Sequence, residues 1–369
     1  MYSNPKGPAV SQLSIIVPIF NEAEHLPAFL SMLTDQHGVD FELLICDGGS
    51  TDNSRQVFDD LAPQLPFSCR WLDCPTGRGR QMNFGAAASG GKHLLFLHCD
   101  SLFSSSTSLE KGLSAFRMSA SNVGKGQVGG HFGLHFVRSS PRPCLDYYFY
   151  ECKSCLNLPG CIHGDQGLLL SRECFFEVGP FDESLPYLED DRLVQAIRDR
   201  GAWVTLPGEI QTSARRFESE GLLERQILNA LILNFLATGW TDFLTELPHV
   251  YRLQHTTGRL ALLPVFRAIH QFMRRLPARQ RWAGLWRSGA FVRDNAWQIN
   301  LWFWARSHFR AGLPAGPPEE KQVQRWLRNW SLVCDNPVAQ FASMLMTLAC
   351  FYALYGILIL TERKEMTQS

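Results

Sequence analysis

Leu94-Leu95-Phe96-Leu97-His98-Cys99-Asp100-Ser101 is the stretch whose reading decides the fold. Four apolar residues follow the Gly90-Gly91 turn, as in a strand buried on both faces inside a parallel sheet. In open α/β sheets the ligand crevice lies outside the carboxyl ends of such strands. That places Asp100, with His98 beside it, in a crevice. An acid in this position is otherwise a turn or capping residue, so the flanking segments have to decide.

They repeat the same pattern. Gln12 to Val17 reads as a short strand stopped by Pro18, and Asn21-Glu22 opens a helix with Leu26, Phe29, Leu30 and Leu33 on one face. Phe41 to Cys46 is the next strand, ending in Asp47-Gly48-Gly49-Ser50-Thr51-Asp52 before an amphipathic helix carrying Val57, Phe58 and Leu61. Cys69 to Leu72 is a third strand, and Gly77 to Asn83 reads as a loop leading into a small-residue helix over Phe84 to Ala88. Strand, acidic or glycine-rich loop and helix recur in the βαβ rhythm of a doubly wound sheet. Past Ser101, Val128 to Phe136 alternates as a half-buried strand and Tyr147 to Leu156 is an aromatic helical stretch. Gly164-Asp165-Gln166 precedes the apolar run Leu168 to Leu170. A helix from Asp191 to Arg200 stops at Gly201, Trp203 to Leu206 is one more strand, and Leu222 to Leu236 is an apolar helix.

Composition sets the frame. A chain of 369 residues with 45% hydrophobic content buries a large core, as one domain with an extension or as two. The zero formal charge conceals an asymmetry, since ten arginines face only Asp294 between Thr256 and Arg310. Such a block calls for solvent or an anionic partner, and a membrane surface is preferred to nucleic acid. Eleven scattered cysteines do not resemble a secreted disulfide framework, so they are expected to be reduced and the catalytic part cytoplasmic. We expect a flexible N-terminus over 1–11 without a signal peptide, a catalytic domain over 12–253, and a helical, basic, Trp-rich extension over 254–369. Its segment 341–360 carries no charge and has the length of a membrane span, or else of a buried terminal helix. The mixture of tryptophan and arginine suits interfacial helices as well as core packing. Cys152, Cys155, Cys161 and His163 include the Cys-x2-Cys nucleus of a zinc site, but the second pair is oddly spaced and buried thiols are the preferred reading.

The loops after the strands collect acids (Glu22, Asp47, Asp52, Asp100), glycines and cations (Arg78, Arg80). Facing acids repel unless a cation sits among them, and oxygen-only ligation suits Mg²⁺ or Mn²⁺. Glycine loops beside arginine suit a diphosphate. Neither a phosphate-loop NTPase motif nor a dinucleotide-binding Gly-x-Gly-x-x-Gly follows the first strand, which excludes those two classes.

Val17-Pro18-Ile19-Phe20-Asn21-Glu22, the Asp47 to Asp52 loop, His98-Cys99-Asp100 and Glu189-Asp190 together resemble the motif series of family 2 glycosyltransferases of GT-A fold. Gly77-Arg78-Gly79-x-Gln81-x-Asn83 and Gly164-Asp165-Gln166 are similar to the branch associated with radical-SAM and selenodomain gene clusters. The resemblance covers Ser14 to about Arg252. It implies a mixed Rossmann-like sheet flanked by helices, and a single sugar moved from a nucleotide-diphosphate donor to a hydroxyl acceptor, small or lipid-linked, with inversion. By it, Pro18, Glu22, Asp47 and Gly49 border the nucleotide, with Asp47 bonding the base. Arg78, Gln81 and Asn83 belong to the donor site, Asp100 holds the metal against the diphosphate, and Asp190 is the general base with Glu189 beside it. Arg215 or Arg216 could also meet phosphate, or be solvated surface charges. His98 stands where many relatives have the first acid of an Asp-x-Asp pair. Asp52 is read as a helix N-cap, whereas Asp165 either braces its loop or faces the ligand. The alternatives are a nucleotidyltransferase and a non-catalytic nucleotide-sugar or membrane-binding protein.

Overall fold

A computed structural model describes residues 11–123, 127–252 and 258–368. The chain divides into two units, one of residues up to 137 together with 146–213, the other of 138–145 together with 214–369. The flexible segment expected over 1–11 falls, except for Ser11, outside the described residues, as does the boundary expected at 253/254.

The first unit runs β1 (Leu13–Ile19), α1 (Leu26–Thr34), β2 (Phe41–Asp47), α2 (Ser54–Leu61), β3 (Ser68–Asp73), α3 (Arg78–Ala88), β4 (His93–Phe96), β5 (Ser101–Phe103) and α4 (Ser108–Val123). It continues through β6 (Gln127–Val137), α5 (Leu145–Ser154), β7 (Leu168–Ser171), α6 (Arg172–Val178), α7 (Glu189–Arg198) and β8 (Gly201–Ser213). The eight strands form one sheet in the order β3-β2-β1-β4-β7-β6-β8-β5. Its first half is parallel, as the apolar strands required. β7 then pairs antiparallel with both β4 and β6, and β6 pairs parallel with β8, which makes the sheet mixed. This is the helix-flanked mixed sheet of the expected GT-A type.

Three boundaries differ from the sequence reading. β1 passes through Pro18 to Ile19. Leu97 N–H bonds to Ile16 O as β4 ends, so the missing N–H of Pro18, two residues on and on the same edge, falls where no partner strand remains. α3 begins at Arg78, six residues before the small-residue run, so Arg78, Gln81 and Asn83 are helical. β8 continues beyond Pro207 because Pro207 and Gly208 form a bulge opposite Phe132 and Gly133.

One face of the sheet packs Met82 and Ala86 of α3, Phe175 of α6 and Leu193, Val194 and Ile197 of α7 onto Ile16, Leu44, Leu94 and Phe96. A Cβ at Gly85 would lie 2.6 Å from both Cys46 Sγ and Ile16 Cγ2, so the small residues of α3 let it sit close on β1 and β2. The polar ends of these strands are thereby fixed against the N-terminus of α3.

The second unit is helical: α8 (Arg215–Glu220), α9 (Leu222–Thr238), α10 (Thr241–Arg252), α11 (Leu262–Arg275), α12 (Ala278–Asp294), α13 (Gln298–Arg310), α14 (Glu320–Cys334) and α15 (Pro337–Gln368). Phe235, Trp240, Phe243 and Phe272 stack into its core with centroid separations of 4.6 to 6.2 Å. Trp297 and Trp326 are also buried, while Trp282 is 55% exposed. The tryptophans are thus divided between packing and surface. Over Pro337–Arg363 the chain is long and apolar enough to cross a membrane by length and composition.

Candidate active site

Two loops at the carboxyl end of the parallel strands are stitched together by short polar side chains. Asn21 takes the left-handed backbone at φ 58 that asparagine tolerates. Its N–H donates to Ser50 Oγ at 2.8 Å, and its Oδ1 accepts from Thr51 N–H at 2.8 Å. Glu22 N–H donates to Ser54 Oγ and Ala23 N–H to Asp52 Oδ2, both at 3.0 Å. Asp52 Oδ1 accepts from Ser54 N–H and Oγ. Asp52 therefore orders the entry of α2, as its capping reading implied, and adds a tie to the β1–α1 loop that sequence could not show. Asp47 is buried and accepts from Ser50 N–H at 3.0 and 3.2 Å, closing the turn that Gly49 makes at φ 93. A carboxylate keeps further acceptor directions after such a turn.

Gln81 and Asn83, expected to touch the donor, have other tasks. Gln81 is buried, and its Nε2 donates to Ile19 O at 2.8 Å and Cys46 O at 2.7 Å, holding the ends of β1 and β2. Asn83 Nδ2 donates to Phe181 O and to Glu183 Oε1, and its Oδ1 accepts from Phe181 N–H, each at 2.9 Å. Once α3 starts at Arg78, its helical phase turns these two amides toward backbone, one to the strands and one to the 181–183 loop. Both amides thus brace backbone at the site where the resemblance places the donor.

The acids meet on the neighbouring side. Leu188 adopts φ 64, an unusual backbone for a bulky residue, and delivers Glu189 and Asp190 buried at the first turn of α7. Arg78 Nε donates to Glu189 Oε1, and Arg78 Nη2 lies 3.5 Å from Asp190 Oδ2. Arg78 Nη1 also stands 3.5 Å from His98 Nε2. Asp190 Oδ2 accepts from Gly164 N–H at 2.6 Å and Oδ1 from Asp191 N–H at 2.9 Å. Burial by itself would push the Asp190 carboxyl up, but Arg78, His163 and these two amides hold it below the usual carboxylate range. A Cβ at Gly164 would come to 3.0 Å from Asp190 Oδ2 and 3.4 Å from His98 Nε2, so glycine is what brings the backbone donor this close.

Asp165 is the residue the sequence left open. Gln166, fully buried, is the brace of its loop: its Oε1 accepts from His163 N–H at 2.6 Å and its Nε2 donates to Ser154 O at 2.8 Å. Asp165 Oδ1 is shielded from solvent and takes no hydrogen bond. Burial, then repulsion from Asp190 and Asp100, pushes the Asp165 carboxyl up to about 7 against the pull of Arg78. Asp100, in the turn between β4 and β5, and Asp190, from α7, thus both repel the Asp165 carboxylate. The quoted Gly164-Asp165-Gln166 motif was the only sequence signal for it.

Among the described residues no three His, Cys, Asp or Glu side chains converge closely enough to cage an ion. The Asp165 Oδ1 oxygen without a hydrogen bond, on a carboxylate that Asp100 repels, fits the chemistry of an open Mg²⁺-type site, which takes one or two carboxylates and completes its shell with substrate phosphates. Around Cys152 to His163, burial pushes the Cys155 and Cys161 thiols up to about 11, away from the thiolate a zinc site needs.

Residues 14–164 match the family model described as Glycosyl transferase family 2. Over 93 residues the chain is 33% identical to an uncharacterized glycosyltransferase of Nostoc sp., covering 25% of this chain and 29% of that protein. Over 101 residues it is 39% identical to a PGL/p-HBAD biosynthesis glycosyltransferase of Mycobacterium bovis, covering 27% and 40%. The chain spans less than half the length of these relatives. Among solved structures, S. aureus TarS residues 1–349 in complex with UDP aligns at TM-score 0.45 and 16% identity, over 82% of this chain and 92% of that one. The mannosyltransferase PcManGT from Pyrobaculum calidifontis, in complex with GDP-Man and Mn²⁺, aligns at TM-score 0.45 and 14% identity, over 95% and 88%.

Proposed function

We infer, from the premise that residues 14–164 form a family 2 glycosyltransferase domain, that the protein moves a single sugar from a nucleotide-diphosphate donor to a hydroxyl acceptor. The observation that carries this reading is Asp190: buried, its carboxyl held low by Arg78, His163 and two backbone amides, and, like Asp100, repelling the buried Asp165 carboxylate.

In this reading the stitched loops carrying Pro18, Glu22, Asp47 and Gly49 receive the nucleotide. Asp100 and Asp165 would hold a Mg²⁺ or Mn²⁺ ion, which when bound neutralises the diphosphate as it leaves. Arg78 sits at the first turn of α3, where unpaired N–H groups also favour negative charge. It balances Glu189 and Asp190 in the free protein and can turn to phosphate when the donor arrives. As the bond from sugar C1 to the phosphate oxygen breaks, the acceptor oxygen bonds to C1 and its proton passes to Asp190, which a lowered pKa keeps ready to accept it. Attack from the side opposite the leaving group gives inversion.

The acceptor is a hydroxyl compound, and a membrane-facing second unit would make a lipid-linked one accessible to a catalytic part on the cytoplasmic side. Incubation with a panel of nucleotide sugars, with and without Mn²⁺, tests the reading through the leaving product. Nucleoside diphosphate released only with an acceptor present supports transfer. Inorganic pyrophosphate would instead identify a nucleotidyltransferase, and donor binding without turnover a non-catalytic module.

A further inference from the structure

α15 reads by composition as a membrane span, but its surroundings do not allow one. One face of the helix, at Gln340, Met344, Phe351, Tyr355 and Glu362, is taken up by neighbouring helices. Gly289 of α12 lies so close that a Cβ there would be 2.6 Å from Gln340 O, and Arg293 Nη1 donates to Gln340 Oε1 at 3.2 Å. From α11, Phe266 stacks on Phe351 with centroids 4.9 Å apart, His270 lies 5.7 Å from the Tyr355 ring, and Arg267 pairs with Glu362. α11 therefore crosses α15 near Phe351–Tyr355, the middle of the uncharged segment. If that segment spanned a bilayer, the crossing would lie near the bilayer centre. Arg274 and Arg275, eight and nine residues beyond Phe266, would then sit within about 14 Å of it, inside a hydrocarbon half-thickness of about 15 Å. Both are exposed, and neither pairs with a carboxylate among the described residues. Arginines without a paired carboxylate are costly at that depth.

The opposite face of α15 is the reverse in character. Val338, Leu345, Met346, Ile357 and Leu360 are 49 to 78% exposed and fall on the side of the helix opposite those contacts, with Phe341, 41% exposed, at its margin. Trp282, 55% exposed, adjoins Phe341 at 6.4 Å. On the neighbouring α11, Arg274 and Arg275 are exposed beyond the residues that pack on Phe351 and Tyr355. An apolar helix face with exposed arginines nearby and an aromatic residue at its margin is the chemistry of an anionic lipid surface.

We propose that α15 lies in the plane of an anionic phospholipid surface, its outward face immersed to acyl depth and the arginines of α11 among the headgroups, and that it does not span the bilayer. This stands apart from the transfer reading, because it concerns only the second unit and its test requires no turnover.

The full-length protein is sedimented with vesicles of phosphatidylcholine alone and with phosphatidylglycerol added, at low and high salt, and in parallel with vesicles carrying the protein with a protease-cleavable tag after Ser369. The expected result is binding that needs the anionic lipid, weakens with salt, is stripped by alkaline carbonate, and leaves the tag cleavable from the side of the catalytic unit. Arg274→Glu should lower partitioning by about fivefold or more, from the share of one cationic side chain. Leu345→Asp should lower it by about tenfold or more. Both positions are exposed, and an unchanged melting temperature checks that each variant folds. A tag protected inside the vesicle, or protein that resists carbonate, would show a spanning helix and overturn the proposal. So would a protein that ignores vesicles and runs as a dimer that Leu345→Asp dissociates, since a second copy would then cover the face.

Discussion

Replacing Asp190 by asparagine separates the two things this carboxylate does. Structurally it accepts from Gly164 N–H at 2.6 Å and from Asp191 N–H at 2.9 Å. Asparagine keeps one acceptor oxygen and presents an NH2 group to the other donor. One buried N–H thus loses its partner, at a cost of about 1–3 kcal/mol. For a unit of this size that lowers the melting temperature by about 2–4 °C per kcal/mol, which leaves the protein folded at room temperature. Chemically, asparagine cannot take the acceptor proton, and loss of a positioned base lowers the rate about 10²–10⁴-fold, or ~2.7–5.5 kcal/mol in the barrier. The assay is release of nucleoside diphosphate under saturating donor, with donor affinity followed separately by thermal shift. We expect kcat to collapse while donor binding changes by less than about threefold. Asp190→Asn protein that keeps its turnover within a few-fold of wild type would refute the assignment of the base. A collapse in donor binding that matches the loss in rate would recast Asp190 as a binding residue.

Asp165→Asn removes a carboxylate repelled by Asp100 and Asp190. The ligand-free melting temperature should rise, while the increment given by Mn²⁺ with a nucleoside diphosphate should shrink; an undiminished increment would remove Asp165 from the metal site. Gly164→Ala places a methyl 3.0 Å from Asp190 Oδ2. Turnover should fall about tenfold through misplacement of the base, with circular dichroism unchanged, and full activity would show that the loop yields at no cost. His131 is fully buried, with Trp203 Nε1–H donating to its Nδ1 at 2.8 Å and its Nε2 3.1 Å from Ser154 O. Burial lowers its pKa to about 4 from 6.5. The unfolded chain therefore binds more protons between these values, and stability should fall by about 3 kcal/mol as the pH drops from 6.5 to 4. Denaturant titrations of wild type and His131→Gln check this, since the variant should lack that part of the pH dependence.

Period and punctuation in the chain were enough to determine its elements. The unbroken apolar runs at Ile15–Val17, Leu43–Cys46 and Leu94–Leu97 could be satisfied only by burial on both faces, which made a parallel sheet the outcome. The loop acids and glycines then had to gather at its carboxyl edge, and four ordered motifs carried the family resemblance. Local pattern could not decide where a helix with weak periodicity begins. α3 starts at Arg78 because close packing of Gly85 on Cys46 and Ile16 anchors its axis, and that start turns the Gln81 and Asn83 amides toward backbone. Asp165 was likewise out of reach, because its character comes from Asp100 and Asp190, which lie 65 and 25 positions away in sequence and meet it only when β4, the 164–166 turn and α7 converge. Hydropathy gave α15 the length of a membrane span, whereas the packing of Phe266 and His270 of α11 against Phe351 and Tyr355 is a fact of tertiary structure. Composition is local, but the cost of burying a charge depends on what stands next to it in space.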